Sequence, residues 1–183
     1  HIGVPMREGL LFVHNTLVGL NLRDKIKLGA SGKIVSAFDI ASVLAIGADW
    51  ANSARGFMFA IGCIQSQSCH TNKCPTGVAT QDTLRQRALV VPDKAQRVYN
   101  FHRNTLKGLA EMLAAAGLEH PSQLSAKHLV RRMSATEIKL FSQLHVSLKP
   151  GELLTGEVNG EFYSRMWQMA RADSFEPNEV AVA

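Results

Sequence analysis

Three cysteines stand close together in the sequence, in the pattern Cys63-x5-Cys69-x4-Cys74, and Pro75 follows the last one. Thiolates are soft ligands that favour iron–sulfur clusters, zinc or copper(I). Three thiolates can hold a three-iron cluster with one ligand per iron, whereas a four-iron cluster normally uses a fourth cysteine, which this chain lacks. The spacing therefore favours an iron–sulfur cluster held by Cys63, Cys69 and Cys74.

Two other interpretations of the cysteines stay open at this point. His70 could complete a Cys3His zinc site, although structural zinc ligands usually stand two to four residues apart and His70 directly follows Cys69. The three thiols could also be unrelated. An odd, clustered number of cysteines makes a poor disulfide framework and favours a reducing compartment, which predicts a cytoplasmic location.

Two short segments upstream of the cysteines have residues suited to an anion. Ala30-Ser-Gly-Lys-Ile34 follows one predicted strand, and Gly47–Arg55 runs through another into a helix. Glycine lets a backbone approach a phosphate closely, free N–H groups at a helix start attract it, and arginine can bind it with two hydrogen bonds. The alternative is that these are an ordinary turn and an ordinary surface arginine.

Helices and strands alternate around these segments. Apolar spacing and capping residues predict a parallel arrangement of βα units in the first third of the chain, followed by a polar loop and a mostly helical remainder. The predicted elements are helices at 5–20, 36–46, 55–64, 94–116 and 163–172 and strands at 25–30 and 49–53. Ser134 and Glu137 match a capping box and predict one more helix, reaching about Leu144.

The bulk composition excludes some functional classes. The 183 residues are 46% hydrophobic and carry a net charge of +5. The basic residues are scattered without aromatic neighbours, which argues against nucleic-acid binding, and no apolar run reaches the length of a membrane span. The first residue is His1, and no strand precedes the first helix, so we expect this chain to be a piece of a longer protein.

The segment GCIQSQSCHTNKCPTGVATQ, Gly62–Gln81, resembles the cluster loop of the ferredoxin- and NADPH-dependent glutamate synthases. The resemblance implies that the cysteines bind a [3Fe-4S] cluster. The two upstream segments are similar to the last two βα units of FMN-binding barrels, whose loops hold the FMN phosphate. The residues at those positions here are Ser31, Gly32 and Lys33 in the first loop and Ser53, Ala54 and Arg55 in the second.

The same resemblance implies an α/β fold that forms the C-terminal portion of a (β/α)8 TIM barrel. Residues 1–62 would supply about units 6–8 of the barrel, residues 63–92 the cluster loop, and residues 93–183 a helical appendage. The flavin-ring and substrate contacts would lie outside this chain. We therefore expect the isolated chain to be inactive and to bind FMN weakly, and no catalytic residue is assigned.

The function implied by the resemblance is that of a glutamate synthase-type oxidoreductase. Electrons from reduced ferredoxin or a reductase subunit would pass through the cluster to FMN. The substrate reduced to L-glutamate would be 2-iminoglutarate, formed from 2-oxoglutarate and glutamine-derived ammonia. Two alternatives are an electron-transfer or assembly module and an FMN oxidoreductase with another substrate.

Overall fold

The structure is a computed structural model that describes residues 3–156, 158 and 160–178. It is a mixed α/β arrangement with two small two-stranded sheets. The elements, in chain order, are α1 (Met6–Gly19), β1 (Gly29–Ser31), α2 (Ala37–Ala45), β2 (Trp50–Asn52), α3 (Arg55–Ala60), α4 (Thr83–Gln86), α5 (Val91–Ala115), β3 (Val130–Arg132), β4 (Ile138–Leu140), α6 (Phe141–Leu144), α7 (Glu152–Thr155) and α8 (Glu161–Met169).

These elements fall into two compact units. The first contains the described residues of His1–Leu28, Ala45–Asp49 and Ser125–Ala183. The second contains Gly29–Leu44 and Trp50–Leu124. The second unit carries every residue that the sequence predicts for a cofactor site, because those residues lie at 31–33, 53–55 and 63–74.

In the second unit, β1 and β2 pair in parallel, as the alternating pattern predicts. Gly29 pairs with Trp50, Ala30 with Ala51 and Ser31 with Asn52. The indole of Trp50 packs directly over Gly29, where an added Cβ would come within 2.5–2.7 Å of the ring. Glycine at position 29 therefore allows the large side chain of Trp50 to cover the strand pair.

The long helix α5 contributes two buried residues to the core of the second unit. Leu109 and Leu113 pack with Ala41 of α2, surrounded by partly buried apolar residues of both helices and of the segment after α5. Near the middle of α5, Phe101 meets Phe57 of α3 edge to face, with ring centroids 5.2 Å apart. Helix α5 thus packs against both helices that follow the strands.

The first unit has a separate apolar cluster. Leu148, Leu153 and Tyr163 are its buried members, and Phe12 of α1 packs against them and stacks on Tyr163 with ring centroids 5.8 Å apart. The buried Asn15 of α1 donates to the Val146 carbonyl at 3.2 Å and accepts from the Leu148 N–H at 3.3 Å. This side chain satisfies the backbone of an irregular segment that has no sheet or helix partner.

Arg23 organises the backbone ahead of both parallel strands. Its guanidinium donates to the Ile26 and Gly47 carbonyls at 2.9 and 2.8 Å, to Asp49 Oδ2 at 2.9 Å and to His14 Nδ1 at 3.0 Å. Asp49 also accepts from the Leu28 N–H at 2.7 Å. Leu28 and Asp49 immediately precede β1 and β2, so this network defines where the two strands begin.

The protonation states in this network follow from its contacts. Burial, and then the charge of Arg23, lower the pKa of His14 although Asp49 opposes them, so His14 is neutral and Nδ1 accepts the bond from Arg23. Burial alone would raise the pKa of Asp49. The hydrogen bonds from Leu28 and Arg23 and the charges of Arg23 and Lys27 outweigh burial and lower it.

The structure corrects several predictions. The strand predicted at 25–30 is instead β1, Gly29–Ser31, because the N–H groups of Lys25 and Ile26 turn back to the Leu22 carbonyl. The helix predicted to begin at Ser134 is wrong. Residues 130–140 form the antiparallel β3–β4 hairpin, in which the Met133 N–H bonds to the Glu137 carbonyl at 2.9 Å.

The Ser134 error has a local cause. The Ser134 hydroxyl accepts from the Thr136 N–H at 3.3 Å, a turn contact that competes with helix capping. Only Phe141–Leu144 is helical. The last helix is Glu161–Met169 rather than 163–172. No helix in the described part of the chain is both long enough and apolar enough to cross a membrane.

Gly47 provides a test of the Arg23 network. It has a φ of +115°, and an added Cβ would lie 2.3–2.7 Å from atoms of His14. We expect Gly47→Ala to lower the free energy of unfolding by about 2–4 kcal/mol, from backbone strain and from steric overlap. Chemical denaturation followed by circular dichroism measures this loss.

Gly156→Ala is the matched control for Gly47→Ala. Gly156 lies in the same unit with a φ of +78°, and no described atom comes within 4 Å of its added Cβ. Gly156→Ala should lower the free energy of unfolding only by the cost of the left-handed backbone at alanine, about 1–2 kcal/mol. Equal losses for the two variants would contradict the importance of the Gly47–His14 contact.

Candidate cofactor-binding site

The two predicted phosphate loops start at the same edge of the parallel strand pair. Ser31, the last residue of β1, pairs with Asn52, the last residue of β2. Residues 32–33 and 53–55 therefore leave the sheet side by side, since parallel strands end at the same edge. The structure thus brings together the two segments that the sequence predicts, with Ser31 in the strand rather than in the loop.

The first loop is held in a left-handed conformation and is tied to the second loop. Gly32 and Lys33 have φ angles of 149° and 56°. Glycine adopts positive φ angles readily, whereas the left-handed backbone at Lys33 costs about 1–2 kcal/mol of conformational free energy. The Ser53 hydroxyl of the second loop donates to the carbonyl of the buried Ile34 at 2.7 Å, which connects the two loops directly.

Two cations at this edge have no carboxylate partner. Lys33 and Arg55 are both exposed, and neither forms an ion pair with a carboxylate in the described residues. Arg55 is the first residue of α3. Unpaired basic side chains beside a loop that contains glycine suit a phosphate group.

Helix α3 joins this edge to the first cysteine. It has six residues, Arg55–Ala60, and the N–H of Cys63 bonds back to the Met58 carbonyl at 2.9 Å. At a rise of 1.5 Å per residue, α3 covers about 9 Å. An added Cβ at Gly62 would lie 3.8 Å from Lys94 Nζ, so this cation of α5 lies beside the start of the cysteine loop.

The three predicted ligands have different environments within one loop. Cys63 is half-buried, Cys69 is exposed at the start of a short 3₁₀ turn, and Cys74 is buried; none forms a disulfide. Among the described residues, no group of three or more His, Cys, Asp or Glu side chains is arranged to hold a metal ion. The loop therefore presents three free thiols that do not converge on one point, and their role as ligands stays a prediction.

Of the three cysteines, Cys74 has the environment that most clearly favours the thiolate form. Its pKa is lowered to about 7, first by the backbone N–H of Ala79, and then by the Thr76 hydroxyl and the N–H groups of Thr76 and Val78. The Thr76 hydroxyl lies 3.6 Å from the sulfur. Hydrogen bonds to sulfur stabilise negative charge on it, in a thiolate or in a cluster ligand.

Asn72 connects the middle of the loop to its exit. Its carboxamide oxygen accepts from the Gln81 N–H at 2.6 Å and from the Thr80 hydroxyl at 2.9 Å. The same hydroxyl also lies 2.7 Å from the Asn72 carbonyl. Asn72 has a φ of 62°, in the left-handed region that asparagine tolerates better than most residues.

The chemistry of the donor set fits an iron–sulfur cluster. The loop supplies three free thiols, and neighbouring N–H groups and the Thr76 hydroxyl lower the pKa of one of them. Hydrogen bonds to ligand sulfurs also tune the potential of a cluster. No group of three or more His, Cys, Asp or Glu side chains in the described residues brings His70 together with the cysteines, as a Cys3His zinc site would need. The phosphate edge likewise offers cations and a permissive backbone for an FMN phosphate.

Comparisons with known proteins identify the family. A model of the conserved region in glutamate synthase matches residues 1–119. The glutamate synthase large subunit-like protein YerD of Bacillus subtilis (strain 168) is 44% identical over 145 residues, which are 79% of this chain. The chain belongs to the glutamate synthase family.

Other relatives in the glutamate synthase family are more distant. The ferredoxin-dependent glutamate synthase of Antithamnion sp. is 32% identical over 149 residues, 81% of this chain. The NADPH glutamate synthase large chain of Azospirillum brasilense is 32% identical over 137 residues, 69% of this chain. The matched residues span 28% of the Bacillus protein and 10% and 9% of the other two.

Sequence reasoning about this glutamate synthase family chain missed two groups of residues. Arg23, with its partners His14 and Asp49, was not recognisable, because two of its acceptors, the Gly47 carbonyl and Asp49, lie 24 and 26 residues away. Asn72 and Thr80 were also missed. Asparagine between two cysteines is a recognisable turn signal, but its partners eight and nine residues away are not.

Ser53 tests whether the two phosphate loops depend on each other. We expect Ser53→Ala to lower the free energy of unfolding by about 1–2 kcal/mol, because the buried Ile34 carbonyl loses its donor. Ser53→Thr retains the hydroxyl and should recover most of the loss. Thermal or chemical denaturation of the two variants gives the comparison, and equal destabilisation by both would contradict the role of the hydroxyl.

Proposed function

We propose that this chain is the part of a glutamate synthase-type flavoprotein that binds the FMN phosphate and a [3Fe-4S] cluster. In that enzyme the cluster would carry single electrons from reduced ferredoxin or a reductase subunit to FMN, and reduced FMN would supply hydride for 2-iminoglutarate, formed from 2-oxoglutarate and glutamine-derived ammonia. The residues described here contribute binding and orientation. The full activity belongs to the longer protein.

The observation that carries this proposal is the continuity of the two sites. The anion-suited edge at Lys33 and Arg55 leads through the six residues of α3 directly into the loop of Cys63, Cys69 and Cys74. Both sites lie in the second unit. The cluster would exchange electrons with the isoalloxazine ring of FMN, and α3 would fix the distance between the cluster and the phosphate that anchors this flavin.

Each proposed ligand has a distinct task at these sites. Gly32 and Lys33 would present backbone N–H groups and a cation to the phosphate, and Arg55 would add a second cation. Ser31 and Ala54 would border the phosphate, and Ser53 would hold the first loop in place. Cys63, Cys69 and Cys74 would each bind one iron, and the N–H groups of residues 76–79 would stabilise the charge on Cys74.

The barrel assignment is also part of the proposal. A parallel pair of strands, each followed by a helix, is the repeating unit of a (β/α)8 barrel, and phosphates bind at the carboxyl ends of its last strands. Residues 1–62 would then be the last barrel units, residues 63–92 the cluster loop and residues 93–183 an appendage. We propose a cytoplasmic location, in keeping with three reduced thiols.

The cluster is tested by replacing its ligands one at a time. Cys63→Ser, Cys69→Ser and Cys74→Ser in the full-length protein, purified anaerobically, should each lose most of the bound iron and the EPR signal of an oxidised three-iron cluster. Ser68→Ala, beside Cys69, is the control and should keep both. Bound zinc without an EPR signal in the unaltered protein would contradict the proposed cluster.

The phosphate site is tested by comparing FMN with riboflavin, which lacks the phosphate. In the full-length protein stripped of flavin, Arg55→Ala should weaken FMN binding about 10- to 100-fold in calorimetry, since a charge-assisted hydrogen bond contributes about 1.5–3 kcal/mol. Its riboflavin affinity should be unchanged, and Arg97→Ala on the exposed side of α5 should change neither.

Two outcomes of the flavin titration would contradict the proposal. Equal weakening of FMN and riboflavin by Arg55→Ala would remove Arg55 from the phosphate site. Tight, stoichiometric FMN binding by residues 1–183 alone would contradict the expectation that the ring contacts lie elsewhere. A full-length protein with a cluster and no flavin affinity would favour an electron-transfer module.

A further inference from the structure

The Asn72 side chain connects the two halves of the cysteine loop. The Asn72 carboxamide lies between Cys69 and Cys74 in sequence, and its hydrogen bonds reach forward to Thr80 and Gln81, beyond the last cysteine. Three other side-chain hydrogen bonds in the described loop lie wholly before Cys74, and each joins residues only two or three positions apart. They are Ser66 with Ser68 at 2.8 Å, Thr71 with the Ser68 carbonyl at 2.8 Å and the Lys73 N–H with Thr71 at 3.3 Å.

The segment that Asn72 holds begins directly after the donors that surround Cys74. The Thr76 hydroxyl lies 3.6 Å from the Cys74 sulfur, and the Gly77 N–H donates to the Cys74 carbonyl at 3.4 Å. The backbone N–H groups of Thr76, Val78 and Ala79 lower the pKa of the Cys74 thiol. Thr80 and Gln81, the two residues bound by Asn72, follow Ala79 without a break. Residues 76–79 are therefore restrained at both ends, by their contacts with Cys74 on one side and by the hydrogen bonds of Asn72 to Thr80 and Gln81 on the other.

The exit of this segment is further restrained by its own hydrogen bonds. The Thr80 hydroxyl accepts from the Asp82 N–H at 3.1 Å, and Asp82 caps α4 by accepting from the Leu84 N–H at 2.9 Å. The Gln86 side chain of α4 donates to the Thr80 carbonyl at 2.9 Å. Thr80 thus connects α4 to Asn72, and its hydrogen bonds to Asp82 and Gln86 restrain the hydroxyl that the Asn72 carboxamide binds.

We propose that Asn72 is a positioning residue for the cluster site, holding residues 76–79 so that the Thr76 hydroxyl and the N–H groups of Thr76, Val78 and Ala79 face the Cys74 sulfur. This inference rests on the proposed function, because it gives the loop a task only if the cysteines bind a cluster. Asn72 touches neither a thiol nor the cluster in this role. It acts through the backbone of the segment that it closes.

The proposal predicts an effect on the electronic properties of the cluster as well as on its retention. N–H hydrogen bonds to ligand sulfurs stabilise the more negative, reduced cluster and raise its reduction potential. If Asn72 is lost and residues 76–79 relax, the potential should shift to more negative values. A residue that contributes only to folding would lower the melting temperature and leave the potential of the remaining clusters unchanged.

Asn72→Gly in the full-length protein, purified anaerobically, is the first test. Glycine keeps the left-handed backbone at this position and removes only the carboxamide. We expect the cluster to be lost at least 5-fold faster to an iron chelator, followed by visible absorption, and the midpoint potential in an EPR-monitored titration to shift negative. Asn72→Asp keeps the acceptor oxygen and should restore most of the resistance to the chelator, whereas its added negative charge by itself shifts the potential to more negative values.

Thr80→Val removes the partner hydroxyl of the Asn72 carboxamide and leaves position 72 unchanged. It therefore controls for a folding defect that is specific to substitutions of Asn72. It should reproduce the negative shift and the faster loss, whereas Thr80→Ser, which keeps the hydroxyl, should not. Ser66→Ala is the matched control, because it removes a hydrogen bond of the same loop that does not cross Cys74. It should behave as the unaltered protein.

The outcomes separate this inference from the function on which it rests. An unaltered protein that binds no cluster overturns both. A cluster in the unaltered protein with the same potential and chelator resistance in Asn72→Gly and Thr80→Val overturns only the role of Asn72. Lower melting temperatures in these two variants without any shift in potential also overturn it, since that pattern describes a purely structural contact.

Discussion

The parallel pairing of β1 and β2 is the constraint on which the candidate site depends. Because parallel strands cannot be joined by a tight turn, residues 32–49 must leave one end of the pair and return to the other, and α2 provides that return. Both strands consequently end at one edge. The loop at Gly32–Lys33 and the loop at Ser53–Arg55 are neighbours for this reason, and the Ser53–Ile34 hydrogen bond reinforces a proximity that the strand pairing already imposes.

The conformation of the cysteine loop depends on a different feature, which is a series of residues with positive φ angles. Five described residues other than glycine have positive φ angles, and three of them, Gln65, Gln67 and Asn72, lie between Cys63 and Cys74. Each costs about 1–2 kcal/mol in isolation. Such a loop persists only where its surroundings determine it, and strained backbone of this kind concentrates at functional sites. The contacts of Asn72 with Thr80 and Gln81 are the clearest stabilising element.

Local patterns predicted most of the second unit and less of the first. Apolar periodicity gave α1, α2 and α5, and the strand–helix alternation gave the parallel pair, because these features follow from neighbouring residues. The strand predicted at 25–30 begins later because the N–H groups of Lys25 and Ile26 turn back to the Leu22 carbonyl, a turn that the alternation of Ile26 and Leu28 does not reveal. The Ser134 capping box failed since a β-hairpin turn uses the same residue types. The cysteine ligands and phosphate loops stay predictions from motif and resemblance.

Helix α3 has a consequence for how the two sites can change. Its six residues are the whole connection between Arg55 and the turn that leads into Cys63. Each residue of an α-helix advances the chain by 1.5 Å and turns it by about 100°. Inserting or deleting one residue in α3 would swing the first thiol to another side of the helix axis, while Phe57 keeps its place against Phe101. The length of this helix therefore fixes the direction in which the chain leaves it toward the first thiol.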